Sequence, residues 1–133
     1  MSATVTVSAS VRVMIVDDHR IVRTALAGLL EGTDGIDVVG EAADGCEAVE
    51  LVAKLQPDAV VMDVTMPRMD GIEATRRVRD LLPGVRVIGL SMHDRDDMAE
   101  AMCEAGASAY VSKGGPPEEL IRVLLGESSS GDC

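Results

Sequence analysis

Ala59-Val60-Val61-Met62-Asp63-Val64-Thr65-Met66-Pro67-Arg68-Met69-Asp70-Gly71 climbs through an apolar run into a carboxylate and then breaks at a proline. The run is too short for a helix and reads as a strand buried on both faces. A charge at the end of such a strand is costly unless something there uses it. Asp63 is therefore a candidate nucleophile for a phosphoryl group, a role that needs partners from elsewhere in the chain.

A second apolar run, Val11 to Val16, also ends in carboxylates, Asp17 and Asp18. Helix one follows, with Val22, Ala25, Leu26, Leu29 and Leu30 at helical spacing. Ile36 to Ala42 reads as strand two. Asp44 with Glu47 is a capping pair for helix two, whose stripe is Ala48, Leu51, Val52 and Leu55. Asp70 with Glu73 repeats that arrangement for helix three, which carries Ile72, Thr75, Val78 and Leu82. Strand four is Val85 to Leu90, ending at Ser91. Helix four has Met98, Ala101, Met102 and Ala105, closed by Gly106. Strand five, Ser108 to Val111, delivers Tyr110 and then Lys113. Helix five carries Leu120, Ile121, Leu124 and Leu125. Residues 1–10 read as a flexible lead-in, 11–125 as one domain, and 126–133 as a linker or frayed end.

Five strand–helix units in strict alternation predict an α/β fold, a doubly wound parallel sheet with helices on both faces. Ligands of such sheets bind outside the carboxyl ends of the strands. Asp17, Asp18, Asp63, Ser91 and Lys113 all fall on that rim. Clustered carboxylates repel one another unless a cation balances them. A hard divalent ion with oxygen ligands, magnesium first, suits the set and bridges naturally to phosphate. Lys113 supplies a point charge for a phosphoryl oxygen, and the Ser91 hydroxyl a donor to another.

Composition narrows the classes. The 133 residues suit one domain, and 47% are hydrophobic, enough for a core. With one Tyr and no Phe or Trp, that core is aliphatic. The formal charge of −11 disfavours direct nucleic-acid binding. Cys46, Cys103 and Cys133 follow no metal-ligand spacing, and Cys46 and Cys103 read as small buried hydrophobes in helices. The odd count gives no sign of an oxidising compartment. No apolar run is long enough to span a membrane and the first ten residues lack a basic n-region, so a cytoplasmic location is expected.

Val16-Asp17-Asp18, Met62 to Pro67 with Asp70-Gly71, Ser91, and Tyr110-Val111-Ser112-Lys113 together resemble the receiver domain of bacterial two-component response regulators, over Val11 to about Leu125. The resemblance implies a flavodoxin-like sheet of order 2-1-3-4-5. It implies Asp63 as phosphoacceptor from a sensor histidine kinase. Mg2+, with Mn2+ or Ca2+ as substitutes, would be held by Asp18, Asp63 and the Thr65 carbonyl, with Asp17 acting through water. Ser91 and Tyr110 stand at the switching positions, and Lys113 matches the site lysine. Asp17-Asp18-His19 and Leu90-Ser91-Met92-His93-Asp94 further resemble the NarL/FixJ subfamily, whose output is a helix-turn-helix DNA-binding domain. Homodimerisation on phosphorylation is the implied consequence.

Departures and rival readings remain beside this. Gly114-Gly115, not proline, follows Lys113, so a cis bond there is not implied. Thr65 and Met92, beside the site, are expected to tune phosphate lifetime, with no direction implied. No output domain follows helix five in this sequence. A phosphorylation-independent receiver acting by dimerisation is the first alternative. An aspartyl-nucleophile phosphatase is the second, disfavoured because Thr65 stands where the second Asp would be general acid. Taken singly, Asp17 and Asp18 could merely cap helix one, Lys113 could be a solvated lysine, and His19 and His93 exposed loop residues.

Overall fold

The computed structural model describes residues 10–64, 66, 69–91, 97–126 and 133, with the side chains of residues 97–99 left aside. Ten elements alternate along the chain. They are β1 (Val11–Val16), α1 (Arg20–Glu31), β2 (Ile36–Ala42), α2 (Gly45–Leu55), β3 (Ala59–Asp63), α3 (Gly71–Leu81), β4 (Arg86–Ser91), α4 (Asp97–Ala105), β5 (Ala109–Ser112) and α5 (Pro117–Leu124). All pairings are parallel and the order is β2-β1-β3-β4-β5. The doubly wound sheet and its order are therefore as expected.

Side chains alternate across the sheet, so each strand feeds two cores. Met14, Val16, Val60, Met62 and Val87 join Val52, Val78 and Met102 on the face covered by α2, α3 and α4. Val13, Ile15, Val61, Ile88 and Leu90 join Ala27, Leu30, Leu120 and Leu124 beneath α1 and α5. Every residue of β3 is buried, which explains its unbroken apolar run.

Element ends follow local chemistry. The Asp44 carboxylate accepts from the Glu47 N–H at 2.9 Å, and Glu47 returns to the Ala43 N–H at 2.7 Å. Asp70 accepts from the Glu73 N–H at 2.9 Å, but Glu73 turns outward to Arg76 and Arg77. Asp70→Ala is expected to cost about 1 kcal/mol. A lower urea midpoint at unchanged slope would show it, and an unchanged midpoint would mean the cap contributes nothing. Arg86, at the start of β4, donates to the Val123 and Leu124 carbonyls at 2.9 and 2.6 Å, satisfying the free end of α5.

Several details differ from the sequence expectation. In α1 the buried residues are Ala27 and Leu30, while Ala25 and Leu29 face solvent. A helix on one side of a sheet hides a narrow stripe, and apolar residues beyond it stay wet. In α5 Val123 is buried and Leu125 is exposed past the helix end. Strands β4 and β5 each begin one residue later than expected, Val85 closing a turn onto the Leu82 carbonyl at 3.0 Å instead.

The cysteine reading is corrected. Cys46 is exposed and free, and Cys103 is half-buried and bonded to Cys133 across 30 positions. Spacing alone cannot announce a pairing between an internal helix and a residue so far along. The expected lead-in and linker fall almost wholly outside the described residues, Ser10, Gly126 and Cys133 excepted. Among the described residues no helix is long and apolar enough to cross a membrane.

Candidate functional site

The carboxyl ends of β1, β3, β4 and β5 open on one rim. Asp63 follows Ala59 and Val61 in the alternation and is only 3% exposed; Asp17, one step past β1, is fully buried. Strand pairing sets Asp63 level with Leu90 and Ser91 level with Ser112. The Lys113 N–H donates to the Ser91 carbonyl at 2.7 Å, so the chain leaves β5 in fixed register with β4. The Lys113 side chain then reaches back across the rim. Its ammonium Nζ lies 2.9 Å from Asp17 Oδ2 and 3.2 Å from Asp63 Oδ2, with the side chain 8% exposed.

Burial by itself would push the Lys113 pKa down. The hydrogen bond to Asp17, with the charges of Asp63 and Asp17, outweighs that and raises it above the ordinary 10.5. The lysine is therefore charged throughout the neutral range. A raised lysine pKa gives stability that is fully present below the unfolded value and lost only as pH climbs through the folded one.

The bland reading of Asp17 and Asp18 as helix caps does not hold. His19 is the N-cap of α1 and makes no side-chain cap bond. Asp17 instead accepts from the His19 N–H at 2.8 Å, a turn that leaves Asp18 at the mouth of the pocket. Arg23, one turn into α1, donates to the Asp17 carbonyl at 2.7 Å and pairs with Glu41 at 3.2 Å. It ties the β1–α1 turn to the end of β2. No sequence pattern marked Arg23, whose place shows only once β1 and β2 are set side by side.

One atom each from Asp17, Asp18, His19 and Asp63 fall within 4.8 Å of one another. His19 Nδ1 stands 3.2 Å from both Asp17 Oδ1 and Asp18 Oδ1, although its side chain is 64% exposed. The loop reading of His19 thus holds for exposure but misses its contact with the acids. Asp17 and Asp63 face the one ammonium, and Asp18 stands in the same cluster, so the pocket is rich in hard oxygen donors. Those residues fit a magnesium ion.

Ser91 is buried, 4% exposed, and Tyr110 is half-buried on β5 opposite Gly89. Both lie on the strands that form the rim's far side. Thr65, Met92 and His93 lie outside the described residues. Asp17, Asp18 and Asp63 gather with Lys113 at this rim, and Ser91 meets Lys113 there through its backbone carbonyl.

This fold, with an acidic pocket and a lysine at the carboxyl edge, defines a signalling receiver. The response regulator receiver domain model matches residues 13–125, and the chain belongs to that family. Among curated relatives it is 42% identical over 118 residues to the transcriptional regulatory protein LiaR of Bacillus subtilis, covering 89% of this chain and 56% of LiaR. A LuxR-family two-component response regulator from Aurantimonas superposes with a TM-score of 0.84 at 42% identity, covering 92% of this chain and 91% of that one. The signal receiver domain of the response regulator NarL from Mycobacterium tuberculosis gives 0.82 at 34% identity, with 89% and 95% covered. The chain spans about half the length of the curated relatives it matches. These relatives are signalling proteins, in keeping with the NarL/FixJ likeness.

Proposed function

We propose that Asp63 accepts a phosphoryl group from the phosphohistidine of a sensor kinase, and that the acyl phosphate so formed switches the domain. The observation that carries this is the buried Asp63 carboxylate sharing one ammonium with Asp17 at the strand-end rim. An Asp63 oxygen attacks phosphorus, the O–P bond forms as the N–P bond breaks, and the imidazole departs with its electron pair and takes up a proton. Lys113 holds a phosphoryl oxygen by charge, and the Ser91 hydroxyl donates to another. Asp18 and Asp63 would hold a magnesium ion, beside Asp17 in the same cluster, with the Thr65 carbonyl and a water on Asp17 the further donors that the family resemblance implies. When bound, that ion neutralises the oxygens of the transferring group.

The remaining assignments rest on the same reading. Residues 11–125 form the receiver unit. Ser91 and Tyr110 transmit the phosphate's arrival to α4, β5 and α5, and a homodimer forms there or through α1 and α5. A shift from nearly all off to nearly all on needs a differential of ~5.5 kcal/mol. The protein works in the cytoplasm, dephosphorylates itself slowly and is not a turnover enzyme. Transcription is its output, through a DNA-binding domain beyond this chain. LiaR's name supports that output, and the charge of −11 argues against DNA contact by this domain itself.

Intact-protein mass after incubation with magnesium and a small acyl phosphate is the test. One added phosphoryl group is expected on the parent, none on Asp63→Asn, and none when the metal is chelated. An adduct that persists on Asp63→Asn would remove Asp63 from the role. Multiple turnover of a phosphomonoester would favour the phosphatase alternative.

A further inference from the structure

The disulfide joins two parts of the chain that the phosphoacceptor chemistry does not use. Cys103 is half-buried in α4 and Cys133 is exposed beyond α5, with Cα atoms 5.4 Å apart. The Cys133 N–H also donates to the Ser108 carbonyl at 3.0 Å. The bridge therefore ties α4 to the approach to β5.

What α4 rests on gives this position its meaning. Met102 of α4 is fully buried, and its Cε closes the space above Gly89 of β4; a Cβ built there would meet it at 3.0 Å and Tyr110 Cβ at 3.6 Å. Thr75 Oγ1 holds the same methionine, donating to its Sδ at 3.6 Å. Gly89 pairs with Tyr110 and lies two residues before Ser91. Met102 thus packs α4 onto Gly89, in the stretch of β4 that leads to Ser91 and pairs with Tyr110. The disulfide restrains that helix at the residue next to Met102.

Persistent disulfides are rare in reducing compartments, where those that form are transient, catalytic or redox-sensing. We propose that Cys103 and Cys133 form a redox-operated clasp, which holds α4 when oxidised and lowers phosphoryl acceptance at Asp63 until a dithiol opens it. The inference rests on the receiver reading above. The restraint favours the arrangement seen here over a shifted α4. By linkage, what disfavours the shifted state disfavours the phosphate that stabilises it.

The opening step is thiol–disulfide exchange. A thiolate of the dithiol attacks the exposed Cys133 Sγ, the S–S bond breaks and the Cys103 thiolate leaves. The second thiol of the reductant then attacks the mixed disulfide and releases Cys133. Two electrons pass to the protein, the dithiol becomes a cyclic disulfide, and its two protons end on the cysteines. A low-molecular-weight disulfide reverses the sequence.

The experiment compares oxidised and dithiol-treated protein in two readouts. Alkylation followed by intact mass should label Cys46 alone in the oxidised protein and all three cysteines after reduction. Adduct formation from a small acyl phosphate with magnesium should run about fivefold faster in the reduced protein. Cys103→Ser and, separately, Cys133→Ser should show the reduced rate with or without dithiol. Three labelled cysteines after equilibration with a low-molecular-weight disulfide would overturn the clasp. Equal rates in both redox states would also overturn it while leaving Asp63 as the acceptor. No adduct in either state would overturn the receiver reading and the inference with it.

Discussion

Lys113→Met is expected to lower stability by about 3 kcal/mol in chelator, and magnesium should restore part of that loss. The Lys113 ammonium stands 2.9 Å from Asp17 and 3.2 Å from Asp63, and both carboxylates are buried. Breaking a buried pair by deleting one partner typically costs 3–5 kcal/mol, because the other charge stays buried without compensation. The lower end applies here since Asp18 and the mouth of the pocket admit solvent. Methionine keeps most of the volume, so the loss is electrostatic and not a cavity. A cation bound to the folded state only adds RT ln(1 + [L]/Kd), and the more negative variant pocket should bind magnesium more tightly. Urea unfolding of parent and variant, with and without magnesium, reads both effects. A stability gap that magnesium leaves unchanged would mean that ammonium and metal do not share the two carboxylates.

That sharing also bears on the proposed chemistry. With phosphate on Asp63, one of the carboxylates now facing Lys113 would become an acyl phosphate, a mixed anhydride, and the ammonium would gain a more highly charged partner in the phosphoryl group. The same side chain thus balances the resting pocket and would grip the product. Its contact with both Asp17 and Asp63 makes it responsive to a change at either.

The sheet and most of the rim were legible because they rest on strong local signals. Apolar runs that end in charge, as at Val16-Asp17 and Met62-Asp63, mark buried strands and their functional ends at once. Asp44-Glu47 and Asp70-Glu73 mark helix starts by a bond made within four residues. What escaped notice depends on contacts between distant elements. Arg23 reaches the Asp17 carbonyl and Glu41 only because α1 folds over the end of β2. His19 joins the acids through a turn whose path is set by the Asp17 side chain. The Cys103–Cys133 bridge needs α4 and the chain beyond α5 to meet beside Ser108. The exposed Ala25 and Leu29 show the converse limit. Helical spacing identifies apolar residues but not how wide a stripe the sheet will cover.

Gly71→Ala is expected to cost about 3 kcal/mol and to slow phosphoryl acceptance at Asp63 by about 100-fold. Helix α3 begins at Gly71 directly against the end of β3, with its N–H donating to the Val64 carbonyl at 2.8 Å. A Cβ built on Gly71 falls onto the Asp63 carbonyl oxygen and within 2.8 Å of Val64 Cα. Those neighbours are backbone, not flexible side-chain ends, so either α3 must retreat or the Asp63–Val64 peptide must move. Retreat of α3 would pull Ala74 and Val78 from the core they fill. Movement of the peptide would carry the Asp63 carboxylate off its line to Lys113, and misplacement by about 1 Å is worth that order in rate. Denaturant unfolding and the rate of adduct formation, measured on the same variant, separate the two responses. A large stability loss with an unchanged rate would show that α3 yields and the acceptor stays put. A slowed rate at near-parent stability would show the reverse. Neither change would mean that the close approach at Gly71 is not needed to place Asp63.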